Sequence, residues 1–286
     1  MLAQDLYLPH NMKSKAWPNS QSVHLLDSCR AVIALFRGLL LGLFFFAVST
    51  SQAAPNDLHN YKVRLGGFTN IKDGAYVEGS VGNGGTQPDY YIDLQSEPLK
   101  SLIEQARAIG QENLDFWDKV GLIVELVGQD FFKYNNYYNP YYRRLLKQYR
   151  DAHKDVPLSE YGVCSAGVCR EHALVLHFAL KAAGIKNKHA YAEIYRASNY
   201  EGYEINEDHA FTVVKYQGTK WVVDAYYQGF NGYRLEDLLS AEGITEHSPM
   251  APIAIAKWGT RRIVKINDFP IVYNPKNKVP LCSSIF

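Results

Sequence analysis

Cysteine is scarce in this chain. Four occur in 286 residues, at positions 29, 164, 169 and 282. That is too few for a disulfide scaffold. Zinc sites favour Cys pairs two to four residues apart with two further ligands. Here four residues separate Cys164 from Cys169, and no second pair follows, so no metal centre is expected. An excess of either charge is also missing. Lys+Arg number 30 and Asp+Glu 29, so composition offers no reason to expect a nucleic-acid partner. No calcium-loop or cofactor motif is visible, and no cofactor is expected. The chain is 47% hydrophobic and 21% charged, which excludes a disordered protein. No repeat occurs beyond a small Gly-Val-Cys doublet, and no low-complexity tract beyond a Tyr/Asn cluster.

A long apolar run stands near the N-terminus, "GLLLGLFFFAV", Gly38 to Val48. Arg30 and Arg37 precede it and the small residues of "STSQAAP" follow, a pattern that describes a secretory signal peptide. Ser51 and Ala53 fit the −3 and −1 positions, so cleavage is expected before Ala54. A retained membrane anchor is the competing reading, but Arg37 interrupts the segment that would have to span. The polar stretch before Arg30 is long for an n-region, and Met12 is an alternative start. The expected organisation is a signal peptide over 1–53 and one domain over 54–286. The mature protein would be secreted or periplasmic, with no stable membrane insertion. Loss of Lys13, Lys15, Arg30 and Arg37 takes the basic count from 30 to 26. Loss of Asp5 and Asp27 takes the acidic count from 29 to 27. Cys29 also leaves. Three cysteines permit at most one disulfide and leave one free thiol. A Cys164–Cys169 bridge would close a very small loop, so Cys164–Cys282 is the more plausible pair in an oxidising compartment.

Residues 54–96 read as loops with a few short strands. From Glu97 the pattern turns helical, with Ser96 as candidate N-cap and Pro98 in the first turn. "NLDFWDKVGLIVELVGQDFFKY" continues at helical spacing. Asn and Pro break the pattern near Pro140, and another helix is predicted after it. The tyrosines of "YNNYYNPYYRRLLKQY" fit either an aromatic wall for substrate or packing between helices, and packing is the commoner use. A helix from Cys169 to Ala183 ends at Gly184. Strands follow from Lys188, His209 and Lys220, with "QGTK" as a hairpin turn between the last two. A short helix in "RLEDLLSAEG" and a strand in "RRIVKI" complete the pattern. Helices followed by an antiparallel sheet predict an α+β domain.

Helix geometry separates the two cysteines of the doublet. Cys169, Ala173, Leu176 and Leu180 fall at i, i+4, i+7 and i+11, a single stripe headed by Cys169. Cys164 lies before the helix, in a turn. A thiol at a helix N-terminus sits at the positive end of the macrodipole, which favours the nucleophilic thiolate. A thiol nucleophile needs a base and a group that orients the base. His209 opens an apolar strand in "EDHAFTVV", and Asp224 ends another in "KWVVDAY". A carboxylate after Trp-Val-Val needs a partner. His172, on the nucleophile's own helix, is poorly directed as a base. His177 and His189 read as packing or surface residues, and Asp208 would point away from its neighbour His209.

"GVCREHALVLHFALKAAGI", "HAF" and "WVVDAY", in that order, resemble the transglutaminase-like superfamily of thiol enzymes. The resemblance covers about Gly162 to Gln228. It implies a transglutaminase-like, papain-like fold, in which the nucleophile helix packs on an antiparallel β-sheet with additional N-terminal helices. The catalytic core would span about 97–240. It also implies Cys169 as nucleophile, His209 as base and Asp224 as orienting acid. Gly184-Ile185 lies at the family's usual distance from Cys169, not from Cys164. The chain departs from the family's common pattern at Arg170-Glu171-His172, at Phe211 where Trp is commoner, and at Ala225-Tyr226.

The expected function is an exported thiol enzyme acting on amide bonds of a protein or peptide through a thioester. Peptidase or deamidase chemistry is favoured over amine crosslinking, and a non-catalytic binding protein that keeps the fold is the other alternative. The Cys169 backbone N–H is expected in the oxyanion hole. Tyr161 and Trp117 are candidate second donors.

A hairpin turning at Gly218-Thr219 would set Asp224 opposite Val213, four residues from His209. Four residues of strand span roughly 13 Å, too far for a hydrogen bond. A bulge, a strong twist or a different turn is needed to join the two.

Overall fold

A computed structural model describes residues 62–64, 68–77, 79, 81–82, 85–197, 204–254, 261–267 and 271–273. All belong to the compact unit Ala53–Phe286. The expected leader over 1–53, its cleavage site and Cys282 lie outside the described residues.

The chain opens with short strands: β1 (Lys62–Arg64), β2 (Phe68–Thr69), β3 (Tyr76–Val77), β4 (Val81–Gly82), β5 (Gly85–Thr86) and β6 (Tyr90–Tyr91). Helices α1 (Leu99–Gln111) and α2 (Phe116–Glu125) follow, and α2 continues as a π-helical stretch, Leu126–Phe131. Next come α3 (Pro140–Asp151), β7 (Val156–Pro157), α4 (Leu158–Val163) and α5 (Cys169–Ala182). Strands β8 (Asn187–Ala197), β9 (Glu204–Tyr216) and β10 (Thr219–Val223) form an antiparallel meander. Helix α6 (Leu235–Leu239) and strands β11 (Arg261–Ile266) and β12 (Ile271–Tyr273) end the described chain. The main sheet runs β10-β9-β8-β11, with β2 also paired to β8. A second sheet runs β1-β12-β3-β6-β7. The result is a mixed α/β domain whose helices pack on an antiparallel sheet, and no helix among the described residues is long and apolar enough to cross a membrane.

Local chemistry sets most helix ends. Asn139 caps α3, its Oδ1 accepting from the Tyr141 and Tyr142 amides at 2.9 and 3.2 Å, with Pro140 in the first position. Tyr142, Leu145 and Leu146 then form its buried face, at i, i+3 and i+4. At the end of α5, Gly184 takes φ +78°. The Gly184 amide donates to Lys181 O and the Ile185 amide to Leu180 O, the two bonds of a Schellman motif. Ser96 does not cap α1. Helix α1 begins at Leu99 after Pro98, and the Ser96 hydroxyl instead bonds Asp93.

Helix α5 is the centre of the molecule. Every residue from Cys169 to Leu180 is buried, including Arg170, Glu171, His172 and His177. The apolar stripe read from the sequence is therefore one side of a helix enclosed on all sides. The main sheet lies against it on one side, where the Thr212 hydroxyl donates to Ala173 O. Helix α1 closes against its C-terminal end so tightly that a Cβ on Gly110 would meet the Ala183 backbone at 2.5 Å. Two apolar clusters result. One gathers α1, α2, α4 and α5 with Val214 and Val223. The other takes the alternate residues Phe211, Val213 and Val222 together with Ala190, Ala192 and α6.

His177 and His189 are both buried. The His177 Nε2 accepts from the Ile71 amide at 3.1 Å, and its Nδ1 lies 2.5 Å from Asn187 Oδ1. This pattern needs a neutral ring with its proton on Nδ1. His177 thereby pins the segment after β2 onto α5, helped by Lys181 Nζ donating to Ile71 O.

Candidate active site

The stretch leading into α5 is held by main-chain bonds. The Tyr134 amide donates to Ser165 O, and the Gly167 amide donates to Tyr134 O. Gly167 is required by close packing, because a Cβ there would stand 2.9 Å from the Phe132 ring. Val168 is extended, and Cys169 is the first residue of α5, with 4% of its surface exposed. Its thiol therefore sits where four backbone N–H groups lack intrahelical partners. Cys164 and Cys169 are both free thiols. The Cys164 sulfur donates to Tyr161 O at 3.3 Å, and burial pushes its pKa up. Cys164 is thus a capped turn residue.

His209 does not open its strand. Strand β9 begins five residues earlier, at Glu204, and pairs with β8 from Glu204 to Val214, so that His209 stands opposite Ala192. The hairpin turns at Gln217-Gly218, where φ is +47° and +85°. Two successive positive φ values make the type I′ turn that matches strand twist. Val223 then pairs with Thr212. Continuing that register sets Asp224 opposite Phe211, two residues from His209 and on its face of the sheet. The sequence expectation of Val213 is wrong by two residues, because the turn lies one residue earlier. No bulge is needed, and a diagonal cross-strand pair is within side-chain reach.

His209 Nε2 lies 2.5 Å from Asp224 Oδ2, and both side chains are almost fully buried. A further side-chain hydrogen bond joins His209 to Cys169. With Nε2 engaged by Asp224, Nδ1 is the ring atom left for the thiol. Burial opposes charge on this imidazole. The Asp224 carboxylate and the hydrogen bonds to Asp224 and Cys169 more than offset it, raising the pKa to about 10. His209 is an imidazolium at neutral pH. Tyr227 and Phe230 flank the ring, with centroids 5.8 and 5.5 Å away.

Asp224 is satisfied on every side. Its Oδ1 accepts from the Tyr226 and Tyr227 amides at 2.9 Å each. Its own amide donates to Asn231 Oδ1, and Asn231 Nδ2 donates to Ile253 O. Asn231, which sequence reasoning missed, locks the turn that delivers the carboxylate.

Two more residues missed from the sequence lie near the thiol. The Tyr137 hydroxyl hydrogen-bonds Cys169, and burial together with the charges of Cys169 and Glu171 raises its pKa. Tyr226 lies close enough to feel the Cys169 charge, and its ring meets His172 edge-on at 5.1 Å. Trp117 packs against Tyr216 and Trp221, at the turn end of the hairpin. Tyr216 is seven strand residues from His209, about 23 Å, so Trp117 is no oxyanion donor. Tyr161 is enclosed with Tyr90 and Tyr142. The hydroxyl at the sulfur is that of Tyr137.

Glu171 underlies the site. Its Oε2 accepts from the Val168 amide at 2.7 Å, half of a capping box, since Val168 has no side-chain acceptor. Its Oε1 accepts from the Tyr90 and Tyr142 hydroxyls at 2.5 and 3.3 Å. Burial raises its pKa, and these hydrogen bonds oppose the rise. His172 is a different case. Its Nδ1 donates to Val168 O at 2.9 Å, and burial lowers its pKa to about 4, so the ring is neutral. Asp208 is exposed.

No family model and no curated protein matches this chain. Among solved structures it is similar to one from Cytophaga hutchinsonii named a "Putative Cysteine Protease". Identity is 13% and the TM-score 0.32, over 63% of this chain and 53% of the other. The chain thus spans about half the length of that protein. The side-chain geometry, not this likeness, bears on the chemistry.

Proposed function

We propose that this protein is an exported thiol enzyme of the transglutaminase-like, papain-like kind that acts on amide bonds of a protein or peptide. One observation carries the reading: a buried His209 hydrogen-bonds Asp224 on one side and Cys169, at the head of a helix, on the other. In this reading the Cys169 sulfur attacks the amide carbon and the carbonyl electrons move to oxygen. The first-turn amide of Cys169 and the Tyr137 hydroxyl stabilise that oxyanion. The tetrahedral species collapses to a thioester as the C–N bond breaks, and His209 gives its proton to the departing amine. Water then adds, His209 takes its proton, and the thiol and a carboxylic acid are released. Asp224 holds the ring orientation and stabilises its cation throughout.

Hydrolysis is the favoured second half-reaction, giving a peptidase or deamidase. With an amine in place of water the same site would crosslink proteins. Incubation with iodoacetamide below pH 8 tests the thiol. Rapid labelling at Cys169, lost on unfolding, is expected; an inert thiol overturns the reading. A glutamine-rich protein with a labelled amine then separates the two outcomes. Peptide fragments or released ammonia support hydrolysis, whereas amine incorporation that vanishes in Cys169→Ala supports crosslinking.

A further inference from the structure

From Lys133 to Arg150 the chain carries five cations and no acid, although Lys+Arg and Asp+Glu over the whole chain, 30 and 29, nearly balance. The same stretch holds an unusual share of exposed aromatic surface. Tyr134, Tyr137, Tyr138 and Tyr141 are 44%, 48%, 78% and 51% exposed. Packing explains Tyr142, which is buried in the face of α3, but not these four. Isolated exposed apolar residues need no account, but a contiguous group beside a reactive centre does.

This group is contiguous with the thiol. Tyr134 is bonded through its main chain to the Ser165–Gly167 lead into α5, and its ring lies 5.9 Å from that of Tyr141. Tyr137 reaches the Cys169 sulfur. Tyr141 and Arg144 are one turn apart on the exposed side of α3, with Arg143 and Lys147 beside them. Lys147 is paired with Asp151, and Lys133, Arg143, Arg144 and Arg150 are the other exposed cations of the stretch.

We infer that this surface docks an acidic segment of the substrate polypeptide and feeds the neighbouring amide bond to Cys169. The inference rests on the thiol-enzyme reading above and adds its substrate class. Guanidinium groups and tyrosine hydroxyls donate to carboxylates, and the rigid rings supply contact area to the intervening chain at low entropic cost. Placement beside the thiol favours a polypeptide over the other polyanions that basic aromatic surfaces bind, single-stranded nucleic acid and anionic lipid.

The test is direct binding to the Cys169→Ala protein, which needs no turnover. Two labelled peptides are compared by fluorescence anisotropy, one with Asp and Glu flanking a glutamine and one with Asn and Gln in their places. The acidic peptide is expected to bind on the order of tenfold tighter at about 0.02 M salt, with the gap closing at about 0.3 M. The double change Arg143→Glu with Arg144→Glu is expected to reverse the preference. Arg143→Gln with Arg144→Gln is expected to abolish it. A thermal melt matching that of the parent certifies each variant, and Lys133→Glu serves as an independent reversal if either fails to fold. Equal affinities, a preference that survives charge reversal, or no binding of either peptide overturns the inference. So does tighter, Arg143- and Arg144-dependent binding of a single-stranded oligonucleotide or of phosphatidylserine vesicles. Iodoacetamide labelling of the unsubstituted protein separates the two readings: a reactive Cys169 without acidic preference sinks only the docking, and an acidic preference with an inert thiol sinks only the enzyme.

Discussion

Asp224, the residue just past the end of β10, and His209 on the neighbouring β9 lie on one face of the sheet, two residues out of the register continued from Val223–Thr212, and their side chains meet at 2.5 Å. The carboxylate thereby holds the imidazole as a cation in a buried place where it would otherwise be neutral. Replacement of the acid by its amide isolates that effect. In Asp224→Asn the His209 titration, followed by NMR of the ring protons, is expected to fall well below about 10, since the carboxylate no longer offsets burial and only the Cys169 contact still supports the cation. Turnover is expected to fall roughly 10²–10⁴-fold. An unmoved titration would show that Asp224 does not charge the ring.

The Tyr137 hydroxyl hydrogen-bonds the Cys169 thiol from outside the His209–Asp224 pair. Tyr137→Phe is expected to lower kcat roughly 10²-fold while KM changes little, the signature of a bond made in the transition state. A rise in activity on losing the hydroxyl would instead identify Tyr137 as a block on the sulfur.

The buried histidines give opposite pH dependences. His209, raised to about 10, adds stability that is fully present below its unfolded value near 6.5 and is lost as pH rises through 10. His172 and His177, each lowered by burial to about 4, bind more protons unfolded than folded between 4 and 6.5. They therefore cost stability as pH falls through that window, at up to about 1.4 kcal/mol per pH unit for each ring. Urea midpoints measured from pH 4 to 10 are expected to peak near neutrality. In His177→Gln the acid-side slope is expected to be shallower, and an unchanged slope would show that the His177 ring is not neutral and enclosed.

Glu171 satisfies three donors with one carboxylate. Glu171→Leu strands the Tyr90 and Tyr142 hydroxyls and the Val168 amide. A loss of roughly 1–3 kcal/mol in unfolding free energy is expected. Adding Tyr90→Phe to that variant removes one stranded hydroxyl and is expected to recover part of the loss.

The register depends on a two-residue turn. A Cβ on Gly218 would meet open space, but the residue has φ of +85°, so Gly218→Ala is expected to cost about 1 kcal/mol of backbone strain. Insertion of one residue after Gly218 is expected to abolish turnover outright. A slip of one position carries Asp224 to the opposite face from His209. Retained activity in the insertion variant would show that the carboxylate is delivered independently of the hairpin.

Much of the site was legible in the residues because its parts are local devices. Gly184 past an apolar helix, Asn139-Pro140 before another, a thiol at the first helical position and a carboxylate closing a Trp-Val-Val strand each carry their own short-range reason. Those signals singled out Cys169, His209 and Asp224 as candidates, and the structure brings the three side chains together. What pattern could not supply was anything set by distant chain. The start of β9 at Glu204 follows from pairing with β8. The position of Asp224 hung on which two residues turn the hairpin, and "QGTK" admits two choices that differ by two positions across the sheet. Burial of α5 on all sides is decided by the helices and sheet around it. A 3.6-residue period reports one buried face and cannot report a second made by charged and polar side chains that find partners. Tyr137 reaches the sulfur from a loop 32 residues upstream, and nothing in local spacing distinguishes it from its tyrosine neighbours. The sequence alone therefore determined which groups are candidates for chemistry. Only the tertiary structure decided which of them touch, because contact between residues far apart in the chain is set by register and packing rather than by periodicity.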